Sequence, residues 1–502
     1  MLGAVRRRLV VYEALRAAKL ENGEGPAEVF DPRLPGMTWP VERREPRLSE
    51  VEPGPLPGSD TDIAFAPVAR LAVWIRRREL TSERLTRIYL GRLKRHGPRL
   101  RCVVTLTAEL ALEQARRADR ETREGKLRGP LHGVPWGAKD LFDTRGVRTT
   151  WGAGPYRERR PEKDATVVRK LAEAGAVLVA KLSMGALAYG DIWFEGRTRN
   201  PFDLEQGSSG SSAGPGAATA AGLVGFSLGT ETYGSIASPS ARCGTSGLRP
   251  TFGRVSRAGA MALCWSLDKV GPMCRTVEDC ALVVDAIAGP DPSDPATRDN
   301  PLNIDMTRSV SGVRVGHVPD DFEKAGPEDR RLLEILERRG ARLVEARRPE
   351  GDFARLIGFL IDVEAATAFD ELTRQGLDDQ LKWQETRAWP NKFRAARLVT
   401  AVEYLQAARL RRRAMTACAE LFADIDVFVA PSRRGGLDAL TNLTGHPALT
   451  IRHSFRDNGT PRGVTLWGRL FDESTLLGVG AVLERELGLW DRRPPEFARA
   501  TG

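Results

Sequence analysis

Stretches of apolar residues at helical spacing alternate along this chain with short, unbroken apolar runs. Over residues 82–95, Leu85, Ile88, Tyr89 and Leu93 share one face behind a cap at Thr81 or Ser82, which predicts a helix. The same period predicts helices over 107–123, 164–174, 276–287, 327–339, 364–372, 402–421 and 472–487, and an alanine-dense one over 217–225. The runs at 176–180, 313–317, 341–346, 426–430, 446–451 and 462–467 read as buried strands, and 228–235 as a strand end running into a turn. Residues 129–138 carry no helical period and lead into a loop with Lys139, and 200–212 reads as a loop. Helices followed by buried strands mark an α/β protein.

Two regions differ in texture. Residues 1–20 fit an amphipathic helix, and 23–60 are rich in Pro, Gly and charge, as an extended segment or linker is. The folded body is expected to begin near Ile63, dividing the chain into an N-terminal part, 1–62, and one large domain, 63–502. No fixed-period repeat divides that domain.

Composition adds exclusions. Hydrophobic residues make up 41% and charged residues 28% of the 502, enough apolar material for a large core. No apolar run approaches the about 18 residues of a membrane span, and the basic N-terminus lacks a signal-peptide core, so a cytoplasmic protein without membrane partners is expected. Six scattered cysteines without a C-x-x-C pair and only five histidines give no metal-ligand cluster, and no metal or cofactor is expected. The net charge of +10 is spread in short arginine groups among acidic residues, which argues against nucleic-acid binding.

The chemistry concentrates in two places. Residues 210–236 (GSSAGPGAATAAGLVGFSLGTETYGSI) place serine-bearing glycine-rich turns at both ends of an apolar segment, and Gly133-Val-Pro-Trp-Gly-Ala-Lys-Asp140 sets a lysine among apolar neighbours. A serine hydroxyl needs a base, and a desolvated lysine can be one. Each feature has an ordinary reading: Ser235 as a turn serine, 208–212 as a Gly/Ser loop, Lys139 as a lysine paired with Asp140. Loop composition does not choose between Ser208-Ser209 and Ser211-Ser212. A P-loop is excluded, since no G-K-[ST] follows.

Taken in order, G-P-L-H-G-V-P (129–135) with K-D (139–140), N-P-F-D-L-E (200–205), the 211–224 and 229–236 segments, C-G-T-S-G-L-R-P-T (243–251), W-S-L-D-K-V-G-P-M (265–273) and N-L-T-G-H-P-A-L (442–449) resemble the amidase signature family. The resemblance spans about residues 68 to 490. It implies one domain with a large, mixed, twisted central sheet covered by helices on both faces. It also implies an amidase cleaving a non-peptide C–N bond through a Ser–Ser–Lys triad and an acyl-serine. In that register the bridging serine lies 24 positions before the nucleophile, which gives Ser211 and Ser235, with Lys139 as base and Ser212 in support. The backbone N–H groups of Thr232, Tyr233, Gly234 and Ser235 would form the oxyanion hole, and Trp136 and Tyr233 would wall the substrate pocket. A small-molecule amide is the implied partner, and the family leaves a homodimer open.

This chain departs from the pattern at three positions. Tyr233 replaces a glycine, Ala237 replaces an arginine and Glu231 replaces an aspartate. Ala430-Pro-Ser432 also runs almost directly into Asn442, where the glutaminase component of tRNA-dependent amidotransferases has a longer loop. Two alternatives therefore stand beside the free-standing amidase: the glutaminase component of such an amidotransferase, and a catalytically silent binding protein whose pocket Tyr233 blocks.

Overall fold

The structure, a computed structural model, describes residues 11–13, 15–432 and 436–499. Most of the helix expected over 1–20 lies outside them. Eleven strands form one sheet: β1 (Val103–Leu106), β2 (Pro135–Lys139), β3 (Val177–Leu182), β4 (Phe226–Glu231), β5 (Ser246–Arg249), β6 (Lys269–Cys274), β7 (Arg314–His317), β8 (Arg342–Glu345), β9 (Val427–Val429), β10 (Ala448–Phe455) and β11 (Pro461–Gly468). Their spatial order is β1-β3-β2-β4-β6-β5-β10-β11-β9-β7-β8. β3, β2 and β4 run parallel, as do β9, β7 and β8, and antiparallel strands join the two groups. Every residue of β2 to β6 is buried, so helices cover the sheet on both faces, as expected of a mixed α/β sheet.

The helical period is borne out in α1 (Ser82–Leu100), capped by the Thr81 hydroxyl, and in α2 (Ala108–Arg123) and α3 (Thr166–Glu173). It also holds for α6 (Val277–Ile287), α7 (Pro327–Arg338), α8 (Ala401–Leu421) and α9 (Glu473–Leu487). The alanine-dense helix begins four residues early, as α4 (Ala213–Ala220), and α5 (Ala237–Cys243) follows the second serine turn. The helix expected over 364–372 is instead two, Phe353–Ala368 and Asp370–Arg374.

Two corrections bear on the site. The lysine loop is strand β2, paired on both sides, because Gly137 lets Leu182 and Val224 close over it. Within 200–212, Asp203–Gly207 pairs with Arg199–Asn200.

The Pro-rich segment is docked rather than free. Asn22 exchanges hydrogen bonds with Ala262, the Arg411 guanidinium lies 3.4 Å from the Phe30 ring centre, Trp39 packs edge-on to Phe471, and Arg47 bridges to Asp305. No helix among the described residues is long and apolar enough to cross a membrane.

Candidate active site

Lys139 ends β2 with no exposed surface. Its Nζ is hydrogen-bonded to Ser211 Oγ at 2.8 Å, Thr230 Oγ1 at 2.8 Å and Ser212 Oγ at 3.1 Å. Burial pulls the amine down to about 7, against the opposing charges of Asp268 and Glu231. The ordinary pairing with Asp140 is absent. That carboxylate accepts from the Thr150 N–H at 2.9 Å and lies 3.8 Å from Lys181 Nζ. Among the described residues Lys139 makes no ion pair.

The choice between the serine pairs is geometric. Ser211 follows a cis peptide bond from Gly210, and Ser212 N–H donates to the Ser235 carbonyl at 3.2 Å. Ser212 Oγ accepts from Thr230 N–H and donates to Thr230 C=O, both at 3.1 Å. Ser208 and Ser209 turn elsewhere, to the Ser209 carbonyl and to Ser238 Oγ. A Cβ on Gly210 would stand 1.8 Å from the Gly190 carbonyl oxygen, so Gly210→Ala must displace backbone. Gly210→Ala is expected to lower the thermal midpoint, measured by differential scanning calorimetry.

Ser235 sits on the turn between β4 and α5 and is nearly buried. Gly234 takes the left-handed conformation of this turn, φ +79°, whereas Tyr233 lies outside that region. Tyrosine at 233 therefore carries no backbone strain, and its 41%-exposed ring stands at the cleft rim. Ala237 offers no side-chain support, and the turn is braced from the sheet. Glu231 accepts from the Ile236 and Ala237 N–H groups at 2.8 and 2.9 Å with one oxygen, and from Arg249 at 2.7 Å and Asn442 at 3.0 Å with the other. Burial alone would raise this carboxyl, but Arg249 and the two N–H groups hold it at about 2. Thr232 Oγ1 donates to Asp268 at 2.6 Å, tying the turn to the start of β6.

A cleft of about 610 Å³ opens over Ser235, walled by Ala188, Tyr189, Asp191, Tyr233 and Trp389 among others. Trp136 is not in this wall. It is 1% exposed and stacks on Phe226 inside the core, because residues alternate along β2 and Trp136 points away from the face that presents Lys139. Thr230, Arg249, Asp268 and Asn442 carry no signal of their own in the sequence. All four lie inside the ordered family motifs, which is the one signal that could have found them. No cluster fit to hold a metal occurs among the described residues.

Fold and site together describe a hydrolase built on a mixed α/β sheet, with a buried lysine set against paired serines. The model of the Amidase family matches residues 84–435, and the chain belongs to this amidase signature family. It is 35% identical over 491 residues to the A component of the glutamyl-tRNA(Gln) amidotransferase of Chloroflexus aggregans, covering 88% of this chain and 100% of that one. It is also 35% identical to the component of the same name from Moorella thermoacetica, covering 86% and 99%. Among solved structures it is similar to the native peptide amidase of Stenotrophomonas maltophilia, at 32% identity and TM-score 0.78, covering 87% and 99%.

Proposed function

We propose that the chain hydrolyses a carboxylic amide through an acyl intermediate on Ser235, with Ser211 as relay and Lys139 as base. One observation carries this reading: a fully buried lysine without a carboxylate partner, hydrogen-bonded to three hydroxyls beside the Ser235 turn.

The hydrogen bonds around Nζ accommodate neutral Lys139 in that role. Ser212 Oγ already donates to the Thr230 carbonyl, so toward Lys139 it only accepts. A neutral amine has two N–H donors and one lone pair. One donor goes to Ser212 Oγ and the other to Thr230, at Oγ1 (2.8 Å) and its carbonyl (3.4 Å), which leaves the lone pair for the Ser211 O–H. Ser211 Oγ then accepts the Ser235 proton as Ser235 Oγ attacks the amide carbon. Backbone N–H groups of residues 232–235 would hold the oxyanion. The proton returns through Ser211 to the leaving nitrogen, the C–N bond breaks, and water repeats the relay to release the acid.

Fluorophosphonate labelling read by intact mass tests this. Wild type should gain one adduct, absent from Ser235→Ala. No adduct on folded wild type would overturn the reading. Because the base acts unprotonated, kcat/KM should rise about tenfold per pH unit below about 7 and level above it, in a pH–rate profile of the wild type. A profile flat from pH 5 to 9 would remove Lys139 as the base.

Two settings fit this chemistry. The names of the curated relatives favour the glutaminase component of a tRNA-dependent amidotransferase, acting with partner proteins, over the free-standing amidase. The likeness to a peptide amidase supports the free-standing setting. Ammonia release from glutamine and from a peptide C-terminal amide, by the chain alone, separates them. Tyr233 at the rim with an ordinary backbone weakens the silent reading. A cytoplasmic setting accords with either enzyme.

A further inference from the structure

Behind the Ser235 turn lies a second chamber of about 140 Å³. Ala188, Thr232 and Leu263 line both it and the Ser235 cleft, and Thr230, which holds Lys139, lines it too. Its outer wall is the N-terminal segment from Gly23 to Phe30, which precedes the span of the family model. The size is close to that of an engineered cavity of about 150 Å³ that holds benzene, so a compact group of about six non-hydrogen atoms fits.

The lining is apolar at Val29, Leu141, Met261 and Val270, with a few charged groups. Most of these are already satisfied. Asp268 accepts from Thr232 Oγ1 and from the Leu263 and Cys264 N–H groups. Glu364 accepts from Ser266 and Tyr404, and Arg257 is paired with Asp294 at 2.9 Å. Glu28 also lines the chamber but is exposed at its outer wall, whereas Lys269, at the start of β6, is buried. It is 3% exposed, its one hydrogen bond among the described residues goes to the Leu267 carbonyl, and no carboxylate among them lies within ion-pair distance. An ammonium carries three donors, and a buried one without a counter-ion is costly.

We propose that this chamber receives the acyl side of the substrate and that Lys269 binds a carboxylate carried there, so that the enzyme acts on the ω-amides of small acids bearing a second carboxylate. This rests on the amide-hydrolase reading and narrows its substrate class, which includes glutamine and dicarboxylic half-amides. The carboxylate supplies the counter-ion that the fold withholds. Burial, with the positive charge of Arg249 nearby, pulls the Lys269 amine down to about 7 against Glu231 and Asp268, so binding at pH 8 should draw a proton from solution.

Titration calorimetry on Ser235→Ala tests this without turnover, using glutaramate and its neutral analogue pentanamide. Glutaramate should bind at least about tenfold tighter and take up close to one proton at pH 8, seen as a buffer-dependent heat. In Ser235→Ala/Lys269→Met both the preference and the uptake should vanish. Lys269→Gln, which keeps a donor without the charge, serves if the methionine variant does not fold. Equal binding of the two ligands, or a preference surviving the loss of Lys269, overturns the proposal. Fluorophosphonate labelling of the wild type reports separately on the hydrolase reading.

Discussion

Lys139→Ala should lower kcat/KM for any accepted amide by at least about 10⁴-fold while the chain still folds, since groups that act as one catalytic unit show losses of this size when one is removed. Asp191 and Asp362 line the cleft but are paired with Arg197 and Lys392, and no other base among the described residues is hydrogen-bonded to Ser211 or Ser212. Asp140 is taken up by Thr150 and Lys181, and the Glu231 and Asp268 carboxylates accept from N–H groups of the turn and of residues 263–264. Ser235→Ala should lose as much, and the double variant little more. The measurement is steady-state hydrolysis, with near-UV circular dichroism to establish folding. A loss under about tenfold in folded Lys139→Ala would place the base elsewhere.

The second large effect falls on stability. Arg249→Met should cost about 3–5 kcal/mol in urea unfolding, because it strands the Glu231 carboxylate, which has no exposed surface. Arg249 also donates to Thr441 Oγ1 and the His446 carbonyl, so its loss unties β5 from residues 441–446. Adding Glu231→Gln should recover part of the loss. The sign of the pH dependence follows from a lowered carboxyl. Glu231 contributes stability above its unfolded value of 4.5 and loses it as pH falls toward about 2. In Arg249→Met that loss should begin at higher pH. A variant as stable as wild type would mean that the turn stands without this brace.

Much of the scaffold is legible in the sequence because its helices are amphipathic. Val277, Cys280, Ala281, Val284 and Ile287 mark the buried face of α6, and Thr276 caps it. Strands β5 and β6 are not legible. Gly247 and Gly271 weaken any β signal, and Pro272 argues against a central strand. Pro272 is tolerated because β5 pairs with β6 only from Met273 onward. Lys139, Ser211, Ser212 and Ser235 are legible through the ordered motifs rather than through local chemistry, for G-S and K-D dipeptides are common. Trp136 is misplaced when 129–138 is read as leading into a loop, since only a strand fixes which side of the chain each residue faces. Thr230 and Arg249 have no local signal for what they hold, since their partners come from distant segments.

The alternation along β2 has a consequence for how this site can change. Gly137 and Ala138 pair with Ser227 and Leu228 in the same register that stacks Trp136 on Phe226. Slipping β2 by one residue would turn the amine into the packed interior and the indole toward the serines. The buried lysine is thus indexed by the hydrophobic core, so a shift in the packing of β2 is also a shift in where its amine points. Variation that retunes the enzyme has room at the cleft rim around Tyr233, where neither constraint applies.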